Sequence, residues 1–464
     1  MRTVCFVEHL EFECHGNIYS KAITVGDVDN DQGNELVVGS ITGDVTIYKG
    51  KESLPWRKAT DLGMVTCVEV GNVCNHKTNY LVVCTVEGWC YLFSIKPDAP
   101  GQEQETTEDV QRLIKPVYKQ HLTANSKVVV IADIDGDGQM ELVVGYSDRK
   151  VRSYRWQDSG KDATMGVSGK FTMLETWQLA GQLSSVTVHK RADGSIDLMV
   201  SQPGGAYVTL LGSNTDGSEG PSTVLTNSLL SGPTLESLEK TDSEEAASSQ
   251  STDGGPSLIY HPLGTARARN PNVTTEVYGN ISRRRKGEET TVPSYCAICT
   301  LDGTLTLVDS DKILWSVYVD HQLFQLGKLD VTGDGTEEVV ACSTDGHTYI
   351  VNLNRDVVRF HFEEDVAAFC AGNYCIDGKN VPCLIYVTFN NRMLVYYKIA
   401  LTTIGTSNLL KAMHDQPEVN ELLNYFNCDS SKPEEIRKLF LWCLYGIKPR
   451  ENNDNPTDSE DKVS

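Results

Sequence analysis

One signature, written three times with the same spacing, constrains this chain more than anything else in it. Gly26-Asp27-Val28-Asp29-Asn30-Asp31 runs on to Glu35-Leu36-Val37-Val38-Gly39. Ala132-Asp133-Ile134-Asp135-Gly136-Asp137-Gly138 runs on to Glu141-Leu142-Val143-Val144-Gly145, and Leu329-Asp330-Val331-Thr332-Gly333-Asp334-Gly335 to Glu338-Val339-Val340-Ala341-Cys342. Each copy follows an apolar strand and precedes a Gly or Asp turn and a further strand: Val45-Thr46-Ile47-Tyr48, Val151-Arg152-Ser153-Tyr154 and Thr348-Tyr349-Ile350-Val351. Fainter copies fill the gaps, three of them with Gly-Asn (Gly71-Asn72, Gly279-Asn280, Gly372-Asn373) at the turn. Asparagine keeps the turn chemistry of aspartate and drops the charge.

The repeat predicts about seven units of roughly 45 residues, each of four short antiparallel strands, which is the pattern of a β-propeller. The fold class is therefore all-β, a seven-bladed β-propeller, with a short C-terminal helical segment. Four-stranded blades leave open edges, and radial closure is the usual way to remove them. Strands carrying Trp56, Trp177 and Trp315 are predicted outermost in their blades, and residues 4–12 are predicted to complete the last one.

The predicted propeller covers residues 1–400. Residues 98–109 are acidic and loop-like, and residues 213–269 are rich in Ser, Thr, Gly and Glu and poor in aromatics. Such a stretch buries too little apolar surface to order itself, so 213–269 is expected to be a disordered insertion, with 222–225 as a candidate hidden outer strand. Residues 401–447 change to helical periodicity. Leu409-Leu410-Lys411-Ala412-Met413 opens a helical run, and Pro417 starts a second with Val419, Leu422, Leu423 and Phe426 at helical spacing. Ser431 and Glu434 then form a capping box, followed by Ile436, Leu439, Phe440, Cys443 and Leu444 on one face. Residues 448–464 form a polar, acidic tail expected to be disordered.

A net charge of −22 over 464 residues argues against a nucleic-acid groove, which needs a basic surface to displace counterions. Glu8, His9, Glu11 and Glu13 interrupt any secretory core at the N-terminus, and no apolar run is long enough to span a bilayer. A cytosolic chain is expected. The 14 cysteines mostly sit inside apolar strand patterns, where a reduced thiol acts as a small hydrophobe. Cys296-Ala297-Ile298-Cys299 has zinc-ligand spacing but no second pair downstream, and the core reading is preferred. Asn272 and Asn280 match a glycosylation pattern that a cytosolic chain does not use, and Arg283-Arg284-Arg285-Lys286 reads as a solvated loop. No nucleophile elbow, phosphate loop or His-rich metal motif is visible, so an enzyme is not expected.

The Asp-x-Asp-x-Asp loop followed by Glu-Leu-Val-Val-Gly resembles the FG-GAP repeat of integrin α-subunit propellers. Together with residues 301–305, 314–317 and 319–324, the two strongest copies are similar to the family of integrin α FG-GAP repeat-containing protein 2. That resemblance implies a non-enzymatic scaffold in the KICSTOR complex, beside kaptin and other members. The complex is recruited to the lysosomal surface, brings in the Rag-directed GTPase-activating complex, and restrains TOR signalling when amino acids or glucose are scarce. The alternative is an integrin-like extracellular adhesion propeller that binds calcium.

The integrin pattern also implies calcium loops. Asp27, Asp29, Asp31 and Glu35 would ligate through carboxylates and Gly33 through its carbonyl; Asp133, Asp135, Asp137, Glu141 and the carbonyl of Gln139 form the second set. Hard oxygens at alternating positions of a tight turn suit Ca2+. The competing reading is that the aspartates cap the turn by accepting backbone N–H bonds. Glu at the ninth position, where integrins carry Asp, lengthens the ligand arm. The third loop, with Thr332 in place of an aspartate, is the weakest of the three.

Overall fold

The Glu-Leu-Val-Val run has no polar alternation, so both of its faces have to be covered. Glu35–Ser40, Tyr80–Thr85, Glu141–Tyr146 and Glu338–Ser343 are buried from end to end. Each is the second strand of an antiparallel sheet. Neighbouring sheets cover the two faces, as where Val38 of one sheet shares a core with Val65 and Val68 of the next. The motif glycine serves that contact: a Cβ on Gly39 would lie 2.4 Å from Val65 Cγ1.

In the computed structural model, residues 1–97, 113–159, 167–191, 196–212, 257–261, 272–282, 294–309, 312–405, 421, 423, 425–426 and 432–446 are described. They form seven sheets, the blades of one propeller. Blade one spans residues 18–59, two 65–121, three 126–178, four 186–261, five 275–318, six 323–361 and seven 366–396. Innermost strands surround a central cavity of about 320 Å³, crossed by an ion pair of 2.6 Å between Lys21 of blade one and Glu276 of blade five. In blades two, three, six and seven the inner strand breaks register one residue after its start, as between Val65 and Cys67. A repeated bulge bends each inner strand at the same height. Trp177 and Trp315 lie in outer strands as expected, and Trp56 immediately precedes one.

Closure uses the N-terminus, but not as one strand. His9–Glu13 pairs antiparallel with Arg392–Tyr396 and supplies the outer strand of blade seven. Arg2–Val4 instead runs parallel to Val357–His361 and adds a fifth strand to blade six. The segment between them crosses from one blade to the next, with Phe6 against Phe360 at 5.0 Å.

Blade four corrects the reading of the long insertion. Its outer strand is Ser257–His261, inside the stretch read as disordered, and it pairs with Ala206–Leu211. Leu258-Ile259-Tyr260 is a short apolar island in a polar tract, too small to register in the composition of the whole segment. Leu258 packs on a core cluster and His261 stacks on Tyr207 at 4.4 Å. Residues 222–225 lie outside the described residues.

The chain divides into two compact units, residues 1–404 and 405–464. In the second, a helix runs over Pro433–Tyr445, with Lys432 as N-cap lacking a side-chain cap bond and Gly446 closing it at φ 62°. The expected cap, Ser431, lies outside the described residues, as does most of the earlier helical run. Ile436 is buried, but Cys443 and Leu444 of the same expected stripe are exposed, along with Leu441, Trp442 and Tyr445. Residues 439–445 are all apolar, so no single helix face can bury them together. Among the described residues no helix is long and apolar enough to cross a membrane.

Candidate functional site

The three aspartate loops join inner to second strands at equivalent positions, because Gly26, Ala132 and Leu329 pair with Glu35, Glu141 and Glu338. In each loop the buried glutamate reaches back across the turn. Val28 N–H donates to Glu35 Oε2 at 3.1 Å, Ile134 N–H to Glu141 Oε2 at 3.0 Å, and Val331 N–H to Glu338 Oε2 at 2.9 Å. The leading aspartate caps the other end. Asp31 and Gln32 N–H donate to the two oxygens of Asp27 at 3.1 and 3.0 Å. Gly136 and Gly138 do the same to Asp133, and Gly333 and Gly335 to Asp330. Gly33 and Gln139, expected to offer carbonyls, donate their N–H groups to Asp31 and Asp137 at 2.7 Å. The longer glutamate arm is therefore a turn lock, and the aspartates are capping acceptors.

One oxygen each from Asp27, Asp29 and Glu35, and from Asp133, Asp135 and Glu141, lie within 4.8 Å of one another. A basic side chain already stands among them. Lys49 Nζ lies 2.5 Å from Asp29, 2.6 Å from Asp31 and 3.0 Å from Glu35. Arg155 lies 2.8 Å from Asp135, 2.9 Å from Asp137 and 2.5 Å from Glu141. Both arise from register: Glu141 is paired with Arg155 across the second and third strands, and Leu36 with Tyr48 puts Lys49 opposite Glu35. A calcium ion would have to share this space with an ammonium or guanidinium group, and that donor set does not fit a divalent cation. Blade six has Asn352 at the same register, opposite Glu338.

The charges respond accordingly. Burial pushes Glu35 up to about 7 against the pull of Lys49 and of the Val28 N–H. Burial also raises Asp29 and Glu141. Asp31 is lowered, since burial is outweighed by Lys49 and the Gly33 N–H. Lys49 and Arg155 stay firmly charged, because their carboxylate partners more than offset desolvation. Among the described residues no cation pairs with Glu338; burial raises it to about 7 against the Val331 N–H.

The loops also reach sideways. Asn79 of blade two donates its N–H to Asn30 Oδ1 at 2.7 Å and its side-chain amide to Asp27 carbonyl oxygen at 3.0 Å. On the other side Asn34 N–H donates to Asn380 Oδ1 of blade seven at 2.9 Å. Loop three is held to blade two by Met140 N–H donating to Asn75 Oδ1 at 2.7 Å. What these loops do chemically is clasp one blade to the next.

Sequence reasoning on the cysteines fares as expected. Cys296 and Cys299 are both buried, and their odd spacing along one strand sends the thiols to opposite faces and into different core clusters. A cluster that sequence reasoning missed lies on blade six, where His321, Asp345 and His347 converge from two separate loops.

Seven four-stranded blades around a central cavity, with Lys49 and Arg155 set into the acidic turns of blades one and three, define the class of FG-GAP-type repeat propellers. The sequence model of the integrin-alpha FG-GAP repeat-containing protein 2 family matches residues 49–401, and the chain belongs to that family. It is 44% identical to mouse KICSTOR complex protein ITFG2 over 453 residues, covering 96% of each chain. It is 43% identical to the Bos taurus protein of that name over 424 residues, covering 90% of this chain and 75% of the bovine one. Among solved structures, the mercury-soaked crystal structure of BBS1N in complex with ARL6DN matches with a TM-score of 0.51. It is 12% identical and covers 86% of this chain and 100% of that one. This last likeness concerns the fold alone.

Proposed function

We propose that this chain is a non-enzymatic scaffold subunit of a KICSTOR complex. The observation that carries the reading is end-to-end similarity: 44% identity with mouse KICSTOR complex protein ITFG2 across 96% of both chains. With identity at that level over nearly the full length of both chains, the complex in the relative's name is the first expectation for this chain. The acidic loops support it, since their carboxylates accept N–H groups of their own turns and the neighbouring asparagines clasp them to adjacent blades. In this reading the chain sits beside kaptin and other KICSTOR members at the lysosomal surface, where the complex recruits the Rag-directed GTPase-activating complex and restrains TOR signalling under amino-acid or glucose limitation.

The apolar end of the C-terminal helix offers a contact surface, with Trp442 and Tyr445 45% and 67% exposed. Aromatic residues of this kind anchor protein interfaces. The test is affinity purification of the tagged full chain from cells. Kaptin and other KICSTOR members are expected to co-purify with wild type. They are expected to be lost or depleted with Trp442→Asp/Tyr445→Asp at unchanged melting temperature. A wild-type chain that brings down no KICSTOR member overturns the proposal.

A further inference from the structure

Blade six brings together three imidazoles and a carboxylate that neither the acidic loops nor the scaffold role uses. His321 lies in the connection between blades five and six; Asp345 and His347 flank Gly346 in the tight turn after Glu338–Ser343. The turn is rigid. Gly346 has φ 83°, and a Cβ there would fall 2.0 Å from the carbonyl oxygen of Phe362, so the chain has one way through. His321 Nδ1 is 2.5 Å from Asp345 Oδ2, and His347 Nδ1 is 3.5 Å from Asp345 Oδ1. The rings of His321 and His347 are stacked at 3.8 Å and 19°, with the Nδ1 atoms on the side of the carboxylate.

Two details separate this cluster from an ordinary surface ion pair. His347 Nδ1 is buried and makes no hydrogen bond, with the Asp345 carboxylate 3.5 Å away. A buried orphan nitrogen is costly unless something satisfies it. The second detail is the support behind the carboxylate. Ser343 Oγ donates to Asp345 Oδ1 at 2.5 Å and accepts the His347 N–H at 2.9 Å, fixing both groups from behind. Metal ligands are commonly oriented by such outer hydrogen bonds.

We infer that His321, Asp345 and His347 form a zinc-binding site that ties the connection between blades five and six to the turn of blade six. One ligand atom from each already lies within 4.8 Å of the others. At zinc bond lengths of about 2.0–2.2 Å, the two stacked rings must turn so that a nitrogen of each meets at one point beside Asp345. Two imidazoles and a carboxylate suit a first-row transition ion and not Ca2+ or Mg2+, which take oxygen ligands. With three protein ligands the fourth position stays open to water or to a donor from a partner. His361 stacks on the far side of His347 at 4.2 Å and is not among the converging ligands, which makes it the natural control.

The experiment titrates the purified full chain, stripped with chelator and kept reduced, with Zn2+ by calorimetry and with Co2+ by visible absorption. Wild type is expected to bind one more zinc than His321→Ala/His347→Ala. The matching cobalt spectrum should show ligand-field bands without a thiolate charge-transfer band, since no cysteine takes part. Asp345→Asn should weaken binding by about tenfold or more, and His361→Ala should keep the wild-type affinity within about threefold. Circular dichroism and melting of the stripped proteins check that each variant is folded. Equal zinc stoichiometry in wild type and the double variant overturns the inference, as does a cobalt spectrum dominated by thiolate. Zinc binding lost only on His361→Ala overturns it too.

Discussion

Lys49 and Arg155 stand where a loop of this shape would otherwise need a bound ion. Three carboxylates in a tight turn repel one another unless a positive charge lies among them, and here the third strand of the blade delivers it. Lys49→Met should therefore cost roughly 3 kcal/mol, because it strands the buried Asp29 and Glu35 without their partner. Because it also empties the space, millimolar calcium should restore part of the lost melting temperature in Lys49→Met. Wild type should melt the same in calcium and in chelator; calcium-stabilised wild type would show that the ammonium yields its place. The acidic half of this arrangement was plain in the sequence. The basic half was not, because Lys49 and Arg155 lie outside the loop motif and meet it only through strand register. Glu338 provides a contrast. Its pKa of about 7 lies above the ordinary 4.5, so its contribution to stability is intact below that ordinary value and is lost as pH rises through about 7. Glu338→Gln can keep the bond from Val331 N–H and should raise the melting temperature at pH 8, while leaving it nearly unchanged at pH 4.5. A gain of equal size at both values would mean that ionisation is not the cause.

At the scale of the element, pairing partners decide what each strand is worth. His9–Glu13 covers the edge of Arg392–Tyr396 and carries Phe12, which is 2% exposed and packs against Tyr48 at 5.0 Å. Arg2–Val4 adds a parallel fifth strand to a blade that already has four. Deleting residues 1–5 should thus lower the melting temperature by only about 1 °C, corresponding to about 1 kcal/mol in a unit of this size. Deleting 1–16 should cause aggregation or a far larger drop, because blade seven is left with a bare edge. Similar melting of the two truncations would show that closure does not depend on the N-terminal strand. Strands were legible wherever apolar runs recur beside the aspartate turns. Ser257–His261 escaped because five residues in a long polar stretch leave no compositional trace, and the break between Arg2–Val4 and His9–Glu13 escaped because only three-dimensional pairing separates them. The C-terminal helix was readable as a helix, but its buried face was not, since apolar residues surround its last turns.

Across the whole molecule, the repeat pattern made the propeller readable from sequence, because a motif that recurs with its strands attached leaves few architectures open. The blade-six histidines were unreadable for the opposite reason: His321 and Asp345 belong to different loops and no short pattern contains both. The ring that joins these parts has an order of events built into it. His9–Glu13 emerges from the ribosome long before its partner Arg392–Tyr396. At roughly 5–20 residues per second, the interval is on the order of 20–80 s. Through that time His9–Glu13 has no mate, the growing arc of blades has an open seam, and both are exposed to the crowd of other nascent chains. The ring is therefore sealed out of order: a strand made before blade one is among the last to find its place, and a translation product that stops short of Arg392–Tyr396 cannot seal itself.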